Sequence, residues 1–170
     1  MGRKIAWYPF LFFMVMAASC QSFLSYTGAL VPSQHRIDLT EKDAQKRLWK
    51  TEDLSVHYGY ARDSNQLQLT GFIEFDDSLT YNFSSLENFS LEVYFVSSEG
   101  KVIGSSVIVF SGYNNEIDTI PFRHTFELPP GTHAIAFSYS GTARNAGEAG
   151  RDGESGSSGD YWRFWLTPFE

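Results

Sequence analysis

The residues able to do chemistry are few in this chain, and their spacing limits what they could do. Cys20 is the only cysteine among the 170 residues. A lone thiol has no disulfide partner within the chain. It closes an apolar run and the small residues Ala17, Ala18 and Ser19, whereas a core cysteine lies inside a structured segment. His35, His57, His124 and His133 are all more than four residues apart, so no local pair of metal ligands appears. His124 falls among core-facing positions of its strand and reads as a packing residue. Asp76-Asp77 follows a strand and reads as a turn, since carboxylates that work as an acid–base pair must face each other across a substrate. Asp152, Glu154 and Asp160 lie in a glycine-rich stretch that lacks the regular alternation of a calcium loop. No Gly-x-Ser-x-Gly elbow supports a serine triad. These patterns point to no enzyme, no metal and no cofactor.

The elements around Cys20 explain its position. Arg3 and Lys4 form a basic start, Ile5 to Met16 is oily, and Ala17 to Ser19 are small. Basic, then apolar, then small is the layout of a secretory signal peptide, and the run is short for a membrane span. Residues 1–19 are therefore set aside. Without Arg3 and Lys4 the excess of 20 acidic over 13 basic residues grows by two. Such a balance excludes a nucleic-acid partner, which needs a basic face.

Ala17-Ala18-Ser19-Cys20 resembles the lipobox of bacterial lipoproteins, although Ala17 stands where leucine is commonest. The resemblance implies that the leader is cut before Cys20 and that the sulfur carries a diacylglycerol. It also implies that the new amino group is acylated, and that Gln21, in place of aspartate, favours the outer over the inner membrane. Two or three acyl chains, at about 0.8 kcal/mol per buried methylene, hold a protein firmly on a bilayer. The expected location is the periplasmic side of a bacterial envelope.

Residues 20–38 lack a clear period and read as a tether. In 40–50, Thr40 suits a helix cap and Asp43 a first turn, and Ala44 and Leu48 are four apart. This predicts a short helix at about 41–49, anchored by Trp49. From Leu54 the period changes to two. Leu54, Val56, Tyr58 and Tyr60 share a face, as do Leu67, Leu69, Gly71, Ile73 and Phe75, and again Phe89, Leu91, Val93 and Phe95. "SSEGK" and "PPGT" read as turns. Further strands are expected in "VIGSSVIVF", "IPFRHTFEL", "AIAFSY" and "YWRFWL". About seven alternating strands indicate an all-β, antiparallel two-sheet sandwich of immunoglobulin-like type over residues 39–170. Residues 141–160 are rich in glycine, serine and charge and read as a flexible loop.

Two stretches resemble known sandwich families. "LPPGTHAIAFSY" (128–139) is similar to the turn and strand of fibronectin type III domains. "LTGFIEF" with "FSLEVYFVSSEGKVIGSS" resembles the small bacterial FxLyD-type domains. Both imply the fold class and no activity, because such sandwiches host many roles.

The aromatic residues remain as a lead. Tyr58, Tyr60, Tyr81, Tyr94, Tyr113, Tyr161, Trp162 and Trp165 exceed what one small core needs, and exposed rings give large contact area at low entropy cost. In the last strand Tyr161, Arg163 and Trp165 share one face and are the candidate binding residues. Trp162, Phe164 and Leu166 share the other and are the expected core. The leading expectation is a lipid-anchored, non-enzymatic module that binds a protein partner or helps assemble an envelope component. A carbohydrate-binding module using exposed aromatics is the alternative, and an envelope hydrolase ranks behind both. The mature protein isolated from bacterial membranes should begin at Cys20 and carry acyl mass that Cys20→Ser lacks, as read by intact mass spectrometry.

Overall fold

The computed structural model describes residues 26–40, 43–114, 116–145 and 161–169. Cys20 and the leader, and positions 146–160 of the glycine-rich stretch, lie outside the described residues. The order is a 3-10 turn (Ser33–His35), β1 (Ile37–Asp38), β2 (Asp43–Lys50), β3 (Leu54–Asp63), β4 (Gln66–Phe75) and α1 (Asp77–Asn82). It continues with β5 (Ser85–Ser97), β6 (Val102–Asn114), β7 (Ile120–Glu127), β8 (Thr132–Arg144) and β9 (Tyr161–Leu166). Two antiparallel sheets form a sandwich. Sheet 1 runs β1-β8-β5-β6, with β9 also paired to β8, and sheet 2 runs β2-β3-β4-β7. The seven strands legible in the sequence are β3 to β9.

Alternation dictates the core. Leu54, Val56, Tyr58 and Tyr60 of β3 lie beside Leu67, Leu69, Ile73 and Phe75 of β4 on the inner face of sheet 2. All are buried against Phe89, Leu91, Val93 and Phe95 of β5 and Ile135, Phe137 and Tyr139 of β8. Rings meet edge-on at the centre, where Tyr58 and Phe137 lie 5.3 Å apart and Phe75 and Phe89 5.1 Å. The Tyr139 hydroxyl donates to Asp53 Oδ2 at 2.6 Å and lies 3.2 Å from Thr51 Oγ1. It thereby ties sheet 1 to the β2–β3 connection of sheet 2.

Residues 43–49 are not a helix: β2 occupies this stretch, and positions 41 and 42 lie outside the described residues. The reason is a bulge between Ala44 and Arg47. The extra residue resets the two-residue alternation, so Ala44 opposite Tyr60 and Trp49 opposite Val56 both face the core although five residues separate them. Leu48, expected beside Ala44, points out. Asp76 does not make a turn but caps α1, its Oδ1 accepting the Ser78 N–H at 2.9 Å. That bond draws the Asp76 carboxyl below its usual range. His124 is exposed rather than in the core, and its ring stacks on Phe126 at 4.4 Å. The described part of the expected tether, from Tyr26 to Asp38, is packed on the sandwich rather than free. Val31 is fully buried, Leu30 bridges Lys101, and the N–H of Gly28 reaches the Val102 carbonyl at 2.8 Å. Positions 141–144, assigned above to a loop, are the end of β8.

This N-terminal segment lies on the outer face of sheet 1. Val31, Tyr94, Val96, Val102, Ala134 and Ala136 form a second cluster there, joined by Ala29 and Phe169. Tyr26 stacks on Phe169 at 4.7 Å, and both meet Tyr94 edge-on. The two ends of the folded chain thus clasp each other over β5 and β8.

Phe89→Ala should cost about 3–5 kcal/mol in urea unfolding, the usual loss for a fully buried phenylalanine. Tyr139→Phe should cost about 1.5–3 kcal/mol, the range for a bond to a charged group. The phenols of Tyr58, Tyr94 and Tyr139 are all raised, chiefly by burial. Their stabilising contribution is therefore complete below the unfolded tyrosine value of about 10 and is lost as pH climbs above it. Urea midpoints between pH 8 and 11 should fall less steeply in Tyr139→Phe than in the parent.

Candidate functional site

Two surfaces stand out, one on the outside of each sheet. On sheet 2 the bulge makes a groove of about 420 Å³, lined by Lys46, Arg47, Leu48, His57, Gly59 and Phe72 among others. Register places Leu48, His57, Phe72 and Pro121 in one row across the sheet, and Gly59, Thr70 and Arg123 in another. The His57 ring stacks on Phe72 at 4.5 Å and 11°, and its Nε2 lies 3.2 Å from Glu74 Oε2. Gly59 permits the bulge to lie close: a side chain there would stand 2.9 Å from Gln45 Oε1 and 3.1 Å from the Ala44 carbonyl. Lys46 holds a left-handed φ of 57°, a conformation that costs a β-carbon-bearing residue roughly 1–2 kcal/mol. The result is a groove with Lys46 at its edge, Phe72 and the His57 ring as an aromatic wall, and a floor kept low at Gly59 beside Thr70. Such a groove can take an extended segment that offers both carboxylates and apolar groups.

On sheet 1 the outer face is divided. The end nearest Ala134 and Ala136 is covered by the N-terminal segment and Phe169. The other end is open, and here lie the candidate residues Tyr161, Arg163 and Trp165. They stand opposite Arg144, Thr142 and Ser140 of β8, which pair in turn with Ser85, Glu87 and Ser90 of β5. On β6, Tyr113 is paired with Glu87 and Phe110 with Ser90. The rings at the two margins are the high points: Trp165 is 67% exposed, Tyr161 59%, Phe110 68% and Tyr113 59%. Between them the floor is short and polar. Arg163 lies over the Tyr161 ring, 5.6 Å from its centroid. Arg144 Nε lies 3.4 Å from Glu87 Oε1. A depression of about 320 Å³ beside β9 is lined by Asn88, Ser140, Thr142, Arg163 and Trp165. Asn88 sits at a second bulge with φ 50°, a conformation asparagine tolerates better than most residues. Bulges recur beside binding sites because they re-aim side chains.

The structure thus gathers Tyr161, Arg163 and Trp165 on one exposed face and adds Phe110 and Tyr113, which the reading of β9 alone could not supply. Among the three residues expected in the core, Phe164 is buried and Leu166 half-buried, but Trp162 is 54% exposed. Trp162 pairs with Ala143 near the end of the β8–β9 hairpin, whereas Phe164 packs over Gly141, where any side chain would strike its ring. Of the remaining aromatics, Tyr58, Tyr60 and Tyr94 are core residues and Tyr81 is exposed on α1. The groove on sheet 2 was not visible in the sequence: His57, Gly59, Thr70 and Phe72 were read on strands, but the wall from Gln45 to Leu48 was assigned to a helix. Among the described residues, no three His, Cys, Asp or Glu side chains converge as a metal site would require.

No protein-family model matches this chain, and neither a curated protein nor a solved structure does.

Lys46→Gly should stabilise the fold by about 0.5–1 kcal/mol, since relief of the left-handed strain exceeds the entropy cost of glycine. The same change at Lys50, in regular strand, should instead lose about 0.5–1 kcal/mol. Urea unfolding of both variants checks the pair.

Proposed function

We propose that this chain is a lipid-anchored, non-enzymatic binding module of a bacterial envelope. On this reading it is acylated at Cys20 and holds a protein partner close to the membrane. The lipobox-like Ala17-Ala18-Ser19-Cys20 supports the anchor, and Gln21 supports the outer membrane. The observation that carries the binding reading is an opposition of faces. The segment leading to Cys20 is fastened to the outside of sheet 1, while the groove around Gly59 opens on the outside of sheet 2. Packed sheets lie about 10 Å apart, so a mount on one face leaves the other clear for a partner. Lys46 at the bulge and Arg123 in the Gly59–Thr70 row add positive charge to this face of a chain of net charge −7. Exposed Leu48 and Phe72 supply the apolar contact.

A photo-crosslinking residue at Leu48 should capture one envelope protein in living bacteria, and the same residue at Tyr81 on α1 should not. Phe72→Ala removes the exposed aromatic wall of the groove and should abolish the Leu48 adduct without loss of the folded protein. Equal capture from both positions, or an adduct indifferent to Phe72→Ala, would overturn the assignment of the groove.

A further inference from the structure

We infer that the open half of the outer face of sheet 1 rests on the lipid bilayer, with Trp165, Tyr161, Phe110 and Tyr113 seated at the headgroup level. The inference rests on the proposed acylation of Cys20 and adds to it an orientation and a second contact.

The first argument is the reach of the chain. Tyr26 is packed on this same face, against Tyr94 and Phe169. Only Gln21 to Ser25 separate it from Cys20, a path of about 20 Å at full extension. Acyl chains on Cys20 must enter the bilayer within that distance of Tyr26. Along β8, Ser140 in the Trp165–Phe110 row is four residues from Ala136 beneath the N-terminal segment, or about 13 Å. The membrane and the open half-face are therefore held within reach of each other.

The second argument is the chemistry of the face. Tryptophan and tyrosine favour the membrane–water boundary, where the ring meets the acyl region and the polar tip stays wet. Here rings stand along β9 and β6, two margins about 14 Å apart by strand spacing, with Val107 exposed between them and the covered end. Short side chains at Ser90, Ser140 and Thr142 lie between the margins, so the rings reach furthest. Among the described residues, the acidic groups of the face are engaged: Glu87 with Arg144, and Glu92 as acceptor from the Tyr94 hydroxyl at 3.1 Å. Arg163 is exposed over Tyr161 and suits a lipid phosphate. A glycan or a protein on this face would have to fit between it and the bilayer to which the chain is tied.

The test uses the protein purified from bacterial membranes and reconstituted in phosphatidylethanolamine–phosphatidylglycerol vesicles containing lipid brominated along its acyl chains. Tryptophan quenching is compared in the parent, Trp165→Phe and Trp162→Phe. Trp162 faces away from the proposed contact and serves as the control. The quenched component should vanish in Trp165→Phe and persist in Trp162→Phe. Replacing Phe110 and Tyr113 together by serine should release the face from lipid and remove the quenching of Trp165, each ring counting for about tenfold in partitioning. Equal quenching in the parent and Trp165→Phe would overturn the inference. So would a Trp165 emission that answers to soluble cell-wall glycan fragments and not to brominated lipid. Intact mass on the same sample separates the two readings. Acyl mass with an unquenched Trp165 sinks the docking face and leaves the anchor. Quenching of Trp165 without acyl mass keeps the docking face and sinks the anchor.

Discussion

The structure depends on one strand being buried on both of its faces. Every residue from Ala134 to Tyr139 in β8 is buried. Ile135, Phe137 and Tyr139 enter the sandwich core, while Ala134, Ala136 and Ser138 face outward. Alanine and serine on the outer side keep the surface flat enough for the N-terminal segment to lie over it, with Val31 fully buried there. The same strand organises the chain in the plane of the sheet. One edge of β8 pairs with β5 along its length, and the other is shared by β1 at its start and β9 at its end. Both ends of the described chain are therefore registered on β8, and the Tyr26–Phe169–Tyr94 cluster locks them together. A strand with neighbours on every side places long-range contacts at the centre of the fold, so the sandwich and the clasp stand or fall together.

That arrangement makes the two outer faces unequal. Antiparallel sheets ordinarily bury one face and leave the other in water. Sheet 1 departs from this over half its area, where the chain covers its own surface. Sheet 2 keeps an open outer face but is reshaped by the bulge in β2, whose cost in backbone strain at Lys46 is offset by the pairing on either side. The proposed mount and presenting face rest on these departures rather than on the regular parts of the sandwich. This is the usual division of labour: rigid scaffold in the core, function where local rules are broken.

Much of the fold was legible in the sequence. The faces of β3, β4 and β5 follow from a period of two, and the turn at Gly100 follows from a glycine with φ of 81°. The stretch 43–50 was not legible. Ala44 and Leu48 mimic a helical face, and the bulge that makes Ala44 and Trp49 both face inward leaves no local trace, because a bulge is defined against the partner strand. Trp162 failed for a related reason: alternation says which side a residue takes, not whether the opposite sheet extends far enough to cover it. On the candidate face, the common side of Tyr161, Arg163 and Trp165 was legible, since it needs only alternation. Their meeting with Phe110 and Tyr113 was not, since β6 and β9 lie on opposite margins of one sheet and are separated in the chain by β7 and β8.

By itself the sequence determined the fold class, seven of the nine strands, the buried sides of β3, β4 and β5 and two of the tight turns. These depend on local alternation and on the backbone freedom of single residues, which act over a few positions. Only the tertiary structure decided that β2 is a strand, that the segment after Tyr26 lies on sheet 1, and which outer surfaces stay open. Those outcomes depend on edge pairing and on area buried between segments far apart in the chain, and no local pattern specifies which partner a strand edge or an outer face will find.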